Sequence, residues 1–331
     1  MGIKWLLSGH PVYVVSTWPG SRASCIMLYH LLLQTVNTQQ SAGVSPGQPH
    51  LLQYDLDDYQ EAEKAVNDLS QATRGGSLYV IADDVYGLDY FDTVCDKLLT
   101  QVPHLHLWAA SCYHGDAPTG WQVECLTRPL RSPPAVIREV EQDVDITESG
   151  KVKPYSERGV PDHTDGPPVT RLYHRGQGHS ADNPGDCVTC GRDVASFLHS
   201  LRVGVTENVT TTATTVTSTY GATTPPCLQW RDVLMLYWRD ISEHSDMMQG
   251  LKEAGIPVRM LMDDDIEDVA TARSDVVWVS TGHRVCGLER KVVVSLEDYD
   301  IDRFYSMSRC TSQLVIVYGQ TRQMTSDVIT S

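Results

Sequence analysis

Residues 17–24 form a loop whose residue types suit the binding of a phosphate group. The β-branched run PVYVVST at residues 11–17 predicts a strand before the loop, and the apolar spacing of residues 25–36 predicts a helix after it. A strand, a glycine-bearing loop and a helix in this order present backbone N–H groups and a helix N-terminus to an anion. An ordinary strand-turn-helix is the alternative interpretation, because only Ser24 matches the pattern G-x-x-x-x-G-K-S/T. The residues expected at the phosphate are Pro19, Gly20, Arg22 and Ser24.

An acidic pair follows the apolar run LYVIA at residues 78–82. At the end of a buried strand, the first carboxylate of such a pair, Asp83, would hold Mg²⁺ together with the hydroxyl of Ser24. The second carboxylate, Asp84, would orient the water that attacks the phosphate. Taken alone, the pair is equally compatible with a solvated turn.

Two arginines further along the chain stand in segments that suit phosphate chemistry. Arg131 lies in LTRPLRSPPAVI at residues 126–137, and Arg309 lies in FYSMSRCTSQLVIV at residues 304–317. A fixed guanidinium group stabilises the negative charge of a phosphoryl group during its transfer.

A further segment, VSTGHRVCGLE at residues 279–289, carries Gly287 and Glu289. Taken in chain order, the loop, the acidic pair and the Arg-Ser-Pro, Gly-Leu-Glu and Ser-Arg segments resemble the motifs of superfamily 1 helicases of the UvrD/Rep type. The resemblance covers about residues 11–142 and 228–318.

The resemblance implies two RecA-like P-loop NTPase-type domains that bind ATP with Mg²⁺. It implies catalytic roles for Asp84, Arg131 and Arg309, with Arg309 as an arginine finger that reaches the γ-phosphate from the second domain. It also places Gly287 and Glu289 among the residues that bind the nucleotide.

The chain departs from the helicase pattern at positions that matter for catalysis. Ala23 occupies the place of the P-loop lysine, and Cys286 occupies the place of a second lysine. Loss of a fixed ammonium group at the β- and γ-phosphates commonly lowers the rate by orders of magnitude. Arg22 is adjacent to the vacant position, but a guanidinium group does not reproduce the geometry of an ammonium group. We therefore expect weak or absent ATP hydrolysis.

Three functional hypotheses follow from this combination of kept and lost motifs. The first is a nucleotide-binding pseudo-helicase with vestigial use of ATP and Mg²⁺, which acts by binding single-stranded DNA or RNA or protein partners. The second is an active ATP-dependent DNA or RNA helicase or translocase. The third is a fragment of a larger helicase-domain protein.

A separate group of potential metal ligands lies in the middle of the chain. His174 and His179 precede the pair Cys187-Val-Thr-Cys190. Two thiolates and two imidazoles could bind zinc, but this spacing fits no known zinc finger and no second C-x-x-C is present. The sequence therefore favours buried thiols at the start of a helix over a zinc site.

The elements that would position these residues alternate between strand and helix, which predicts the α/β class with parallel sheets. Residues 1–142 are expected to form the first domain, and residues 169–331 the second. Between them, residues 143–168 are polar and rich in proline and glycine, which indicates a linker. Residues 205–226 are mostly threonine, valine, alanine and proline, which indicates an insertion of low complexity.

Composition restricts the setting in which the chain works. The nine cysteines are odd in number and scattered, which favours reduced thiols and a cytoplasmic or nuclear location. No apolar run approaches the length of a membrane span, so no membrane association is expected. The formal net charge of −16 repels phosphate backbones, and nucleic-acid binding would need a local basic groove.

Overall fold

The computed structural model describes residues 1–73, 76–83, 85, 88–111, 117, 120–127, 131–148, 165–175, 178–180, 182–201, 203–204, 228–237, 242–297 and 303–319. The predicted catalytic residue Asp84, the predicted insertion at residues 205–226 and residues 149–164 of the predicted linker lie outside the described residues.

The N-terminal part of the chain forms a parallel sheet of four strands in the order β2-β1-β3-β4. Its elements are α1 (Gly2–Leu7), β1 (Val12–Ser16), α2 (Arg22–Ser41), β2 (Pro49–Gln53), α3 (Tyr59–Gln71), β3 (Ser77–Ala82), α4 (Leu88–Gln101) and β4 (His104–Ala109). The connection from β2 to β3 crosses β1, so the carboxyl ends of β1 and β3 lie side by side where the strand order reverses. In open α/β sheets, ligands bind at this position.

The C-terminal part forms a second parallel sheet of six strands in the order β5-β10-β9-β6-β8-β7. Its strands are β5 (Thr170–Tyr173), β6 (Val233–Tyr237), β7 (Val258–Met260), β8 (Val277–Thr281), β9 (Arg290–Glu297) and β10 (Cys310–Tyr318). The helices of this part are α5 (Pro134–Val140), α6 (Val144–Thr147), α7 (Val188–Ser200), α8 (Asp246–Glu253), α9 (Ile266–Thr271) and α10 (Arg303–Met307).

The central strand β6 shows why this sheet is parallel and covered on both faces. All five residues of its sequence VLMLY are buried. Val233 and Met235 face the core that includes α7 and α8, whereas Leu234 and Leu236 face the core that includes α5 and α9. A continuous apolar run of this kind is typical of a strand between two helical layers.

Helix α2 lies between the two sheets and contributes to both cores. Ala23 and Ile26 pack with Leu234 and Leu236 of the second sheet. Cys25, Leu32 and Val36 pack with the valines of β1 in the first sheet. The N-terminus of α2, where a phosphate was expected, therefore lies close to the second sheet.

Helix α5 precedes the predicted linker in the chain but packs on the second sheet. Its Val136 and Val140 are fully buried in the core of that sheet. Its Glu139 forms an ion pair of 3.1 Å with Arg303 of α10 and accepts a hydrogen bond of 2.5 Å from Arg171 of β5. This packing places the Arg-Ser-Pro segment, which ends at α5, beside the second sheet.

The predicted α/β class with two parallel sheets is confirmed, and this architecture is consistent with two RecA-like domains. None of the described helices combines the length and the apolar character that crossing a membrane requires.

Candidate functional site

The predicted phosphate loop uses its polar atoms within the chain. Ser21 Oγ accepts a hydrogen bond of 3.1 Å from the backbone N–H of Thr17 and donates one of 3.0 Å to the carbonyl of Trp18. It also lies 2.8 Å from Ser16 Oγ. A phosphate-binding loop directs its backbone N–H groups at the anion. Here the backbone N–H of Thr17 donates to the hydroxyl of Ser21 instead, so it is not available to an anion.

Gly20 is closely covered by two neighbouring residues. A Cβ atom added at Gly20 would lie 2.1 Å from the indole of Trp18 and 2.3 Å from the backbone carbonyl of His283. Only glycine fits there, because any side chain would overlap both neighbours. His283 belongs to the 3₁₀ turn Gly282–Val285, which follows β8 of the second sheet, so this contact joins the two parts of the chain.

The two positions that follow in the helicase pattern face protein rather than solvent. The side chain of Ala23, at the lysine position, is fully buried in the core shared with the second sheet. The hydroxyl of Ser24 donates a hydrogen bond of 2.9 Å to the carbonyl of Ser21. Gly287 has a φ of +76°, and a Cβ added to it would lie 2.4 Å from Ser24 Cβ. Ser24 and Gly287, both predicted site residues, are therefore in contact.

The backbone of Asp83 lies beside the first turn of α2. The thiol of Cys25 donates to the carbonyl of Val15 at 3.4 Å and to that of Asp83 at 3.8 Å. This places the backbone of Asp83 next to the residue that follows Ser24.

The three charged residues predicted from the second half of the resemblance come together. Arg131 Nε lies 2.9 Å from Glu289 Oε2. Burial raises the pKa of the Glu289 carboxyl above its ordinary value, while the charges of Arg131 and Arg309 partly oppose this increase. Glu289 is two residues from Gly287, so the cluster continues to the start of α2 through the contact with Ser24.

Three buried donors in this region have no hydrogen-bond partner among the described residues: Thr17 Oγ1, Arg22 Nε and Arg309 Nε. Buried donors are nearly always paired in folded proteins, so a bound anion or an ordered water is what would pair each of these. Two of the three, Arg22 and Arg309, were predicted from the sequence.

The site therefore keeps some of the groups that bind a phosphate and lacks others. Arg22 and Arg309 keep a buried donor without a partner among the described residues, and the backbone of Asp83 lies beside the first turn of α2. The backbone N–H of Thr17 and the hydroxyl of Ser24 are already engaged, and the position of the usual lysine is filled by a buried methyl group. The roles assigned to the individual residues stay predictions.

Two residues that close the loop, Ser21 and His283, were not predicted as site residues from the sequence. Ser21 was not singled out, although a serine inside such a loop is able to bond its own backbone. His283 packs against Tyr305 of α10, with ring centroids 4.9 Å apart, and close to Trp18, with centroids 6.4 Å apart. Contacts between residues this far apart in the chain leave no local sequence signal.

The four predicted metal ligands also come together, at a different place in the second sheet. One ligand atom from each of His174, His179, Cys187 and Cys190 lies within 4.8 Å of all the others. This cluster is built from the end of β5, the following loop and the start of α7.

The chain matches no protein-family model and no curated protein sequence. Among solved structures, it is similar to the C-terminal domain of a possible DNA helicase from Lactobacillus plantarum WCFS1, with 11% identity and a TM-score of 0.32 over 57% of this chain and 87% of that one. It is also similar to the arterivirus nonstructural protein 10 helicase, with 10% identity and a TM-score of 0.30. That likeness covers 97% of this chain and 62% of the viral chain. At these scores, neither likeness identifies what this chain does.

Proposed function

We propose that the chain is a helicase-like P-loop protein that binds nucleotide weakly and hydrolyses ATP slowly or not at all. In this proposal it acts by binding single-stranded nucleic acid or a protein partner. The order of the motifs along the chain supports the helicase-like origin, and Ser24 of the first half of the chain contacts Gly287 of the second.

The main support for a loss of activity is the hydrogen bonding of Ser21 within the loop. Its hydroxyl occupies the backbone N–H of Thr17, and Trp18 and His283 cover Gly20. A phosphate could enter only by displacing these contacts, so its binding energy is reduced by the cost of opening the loop. The missing lysine adds a second loss, because no ammonium group would then balance the β- and γ-phosphate charge.

The same site supports residual binding of an anion. The unpaired donors of Arg22 and Arg309 would be satisfied by phosphate oxygens, and Asp83 with Ser24 are the proposed ligands of Mg²⁺. ATP with Mg²⁺ would supply a transferable phosphoryl group there. The residues of this chain would bind and orient it with few of the charges that accelerate its transfer.

Calorimetric titration with Mg-ATP, beside single-turnover hydrolysis with and without single-stranded DNA or RNA, tests the proposal. We expect weak binding, lowered by Arg309→Ala, and no turnover above background with either nucleic acid. Arg192→Ala is the matched control, because Arg192 is an exposed arginine of α7 paired with Glu253. Hydrolysis that is stimulated by single-stranded nucleic acid and lost in Arg309→Ala but not in Arg192→Ala would instead establish an active helicase or translocase.

A further inference from the structure

The two histidines and two cysteines of the cluster come from three neighbouring segments: the end of β5, the loop after it and the start of α7. His174 directly follows β5, and its backbone N–H continues the pairing with β10 by bonding the carbonyl of Tyr318 at 2.9 Å. His179 lies in the loop after it. Cys187 and Cys190 lie at the N-cap and in the first turn of α7. Three of the four side chains are at most 2% exposed.

The distances within the cluster match those around a tetrahedral zinc ion. His174 Nδ1 lies 3.2 Å from Cys190 Sγ, and His179 Nδ1 lies 3.4 Å from Cys190 Sγ and 3.6 Å from Cys187 Sγ. Zinc bonds of about 2.3 Å to sulfur and about 2.05 Å to nitrogen, at a tetrahedral angle, place the two ligand atoms about 3.5 Å apart. These three distances are those of neighbouring ligand atoms around a tetrahedral zinc ion, and all four ligand atoms lie within 4.8 Å of one another.

The start of α7 directs a backbone donor at one of the two sulfur atoms. The backbone N–H of Cys190 donates to Cys187 Sγ at 3.5 Å, and the positive end of the helix dipole adds to the stabilisation of negative charge. Two thiolates would balance the charge of one Zn²⁺, which a buried site needs.

An acidic side chain lies near the outer ring nitrogen of His179. Its Nδ1 faces the two sulfur atoms, while its Nε2 lies 3.8 Å from Asp193 Oδ2 on the exposed side of α7. A carboxylate at the second ring nitrogen fixes the orientation of the imidazole and raises its basicity as a ligand.

The segment between β5 and α7 has little else to keep it folded. Residues 174–187 read HRGQGHSADNPGDC, so they contain almost no apolar side chains, and their one regular element is the 3₁₀ turn Pro184–Asp186 among the described residues. Ordering a polar loop of this length costs conformational entropy that apolar burial does not offset here. Metal binding is a common source of that free energy.

We propose that His174, His179, Cys187 and Cys190 bind one Zn²⁺ in a closed tetrahedral site that ties the start of α7 to the end of β5. Four protein ligands leave no open coordination position, so the ion is structural rather than catalytic. This inference is independent of nucleotide binding and of the proposed function.

Metal content measured by mass spectrometry on the full chain, purified under reducing conditions, gives the first test. We expect about one zinc per chain, and after exchange with Co²⁺ the intense visible bands of a tetrahedral site with two thiolates. Cys187→Ser and Cys190→Ser should lose both signals. Cys95→Ser and Cys125→Ser should keep both, because one removes a buried thiol and the other a partly exposed thiol elsewhere in the chain.

If loss of a ligand prevents folding, a variant that keeps all four ligands still tests the proposal. Asp193→Ala leaves all four ligands in place and should weaken zinc binding by about 10- to 100-fold in competition with a chelating dye. Asp182→Ala, an exposed aspartate of the same loop, is its control and should bind zinc as the unaltered chain does. A folded, reduced chain that holds no zinc and gives no tetrahedral Co²⁺ spectrum overturns the proposal and leaves a hydrogen-bonded cluster of neutral side chains.

Discussion

Single side chains decide how the phosphate loop differs from a working one. Ser21 bonds the backbone N–H of Thr17, and Ala23 faces the core shared with the second sheet instead of the loop. The missing lysine is therefore more than a lost charge, because the position it would occupy no longer faces a ligand.

Ala23→Lys should consequently fail to restore ATP hydrolysis. A lysine at this fully buried position would place an ammonium group in an apolar core and should destabilise the fold by about 3 kcal/mol or more. Denaturant unfolding and single-turnover hydrolysis measure the two effects. Asn37→Lys, at an exposed position of the same helix, should change neither. A stable Ala23→Lys variant that hydrolyses ATP would contradict the packing described.

Glu289 should give the site a pH-dependent stability. Burial raises the pKa of its carboxyl, so the folded state holds the proton more tightly than the unfolded state does. The stabilising contribution is present below the ordinary pKa and is lost as the pH rises through the raised pKa of the folded state. Glu289→Gln removes this loss. The melting temperature of the variant minus that of the unaltered chain should therefore increase from pH 4 to pH 7.

Glu253 provides a control of opposite sign for that measurement. Its hydrogen bond from Arg192 lowers the pKa of its carboxyl, so its contribution is present above the ordinary pKa and lost as the pH falls. Glu253→Gln should therefore become less stable relative to the unaltered chain as the pH increases. Equal pH dependence in the two variants would show that neither carboxyl behaves as described.

At the scale of elements, a buried carboxylate joins three parts of the second sheet. Glu139 of α5 lies between Arg303 of α10 and Arg171 of β5. The side chains of Glu139 and Arg303 are 5% and 6% exposed, so neither charge has much access to water. This pairing joins the buried Val136 and Val140 in holding α5 on the second sheet, although α5 precedes the predicted linker.

Glu139→Ala should be strongly destabilising, because it leaves the Arg303 guanidinium group buried without its carboxylate. Breaking one side of a buried ion pair costs about 3–5 kcal/mol. Chemical denaturation measures the change. Glu141→Ala, on a less buried residue at the end of the same helix, should cost about 0.5 kcal/mol or less. A loss in Glu139→Ala no larger than this would mean that the pair does not fix α5 in place.

For the whole molecule, α2 makes the two sheets one folding unit. One side of the helix packs in the core of the first sheet, and the side that carries Ala23 and Ile26 packs in the core of the second. The net charge of −16 is also a property of the whole chain, and it requires any nucleic-acid contact to come from a local group of cations.

Ile26→Ala should weaken both sheets, although its side chain is buried in the core of the second. Removing a buried isoleucine side chain costs about 2–5 kcal/mol. Because α2 is shared, amide hydrogen exchange should accelerate in β1 as well as in β6. Leu31→Ala, at a 53% exposed position of the same helix, should leave exchange unchanged. Acceleration confined to the second sheet would show that the two sheets unfold separately.

Local sequence patterns were sufficient for much of the architecture. The apolar runs of β1 and β3 identified buried strands, because a strand between two helical layers must be apolar on both sides. The helix expected after the phosphate loop is present as α2 (Arg22–Ser41). Short elements such as β5, α9 and α10 escaped prediction, since four to six residues carry too little periodicity.

The residue types available at each site were also determined by the sequence alone. The sequence shows the arginines, the strand-end aspartate and the four potential zinc ligands. It also shows that the P-loop lysine is absent. Only the tertiary structure decided which of them meet. Ser24 contacts Gly287, and His174 lies 3.2 Å from the sulfur of Cys190, through packing between segments far apart in the chain. Local propensities cannot encode such contacts, because they depend on how whole elements bury their apolar faces against one another.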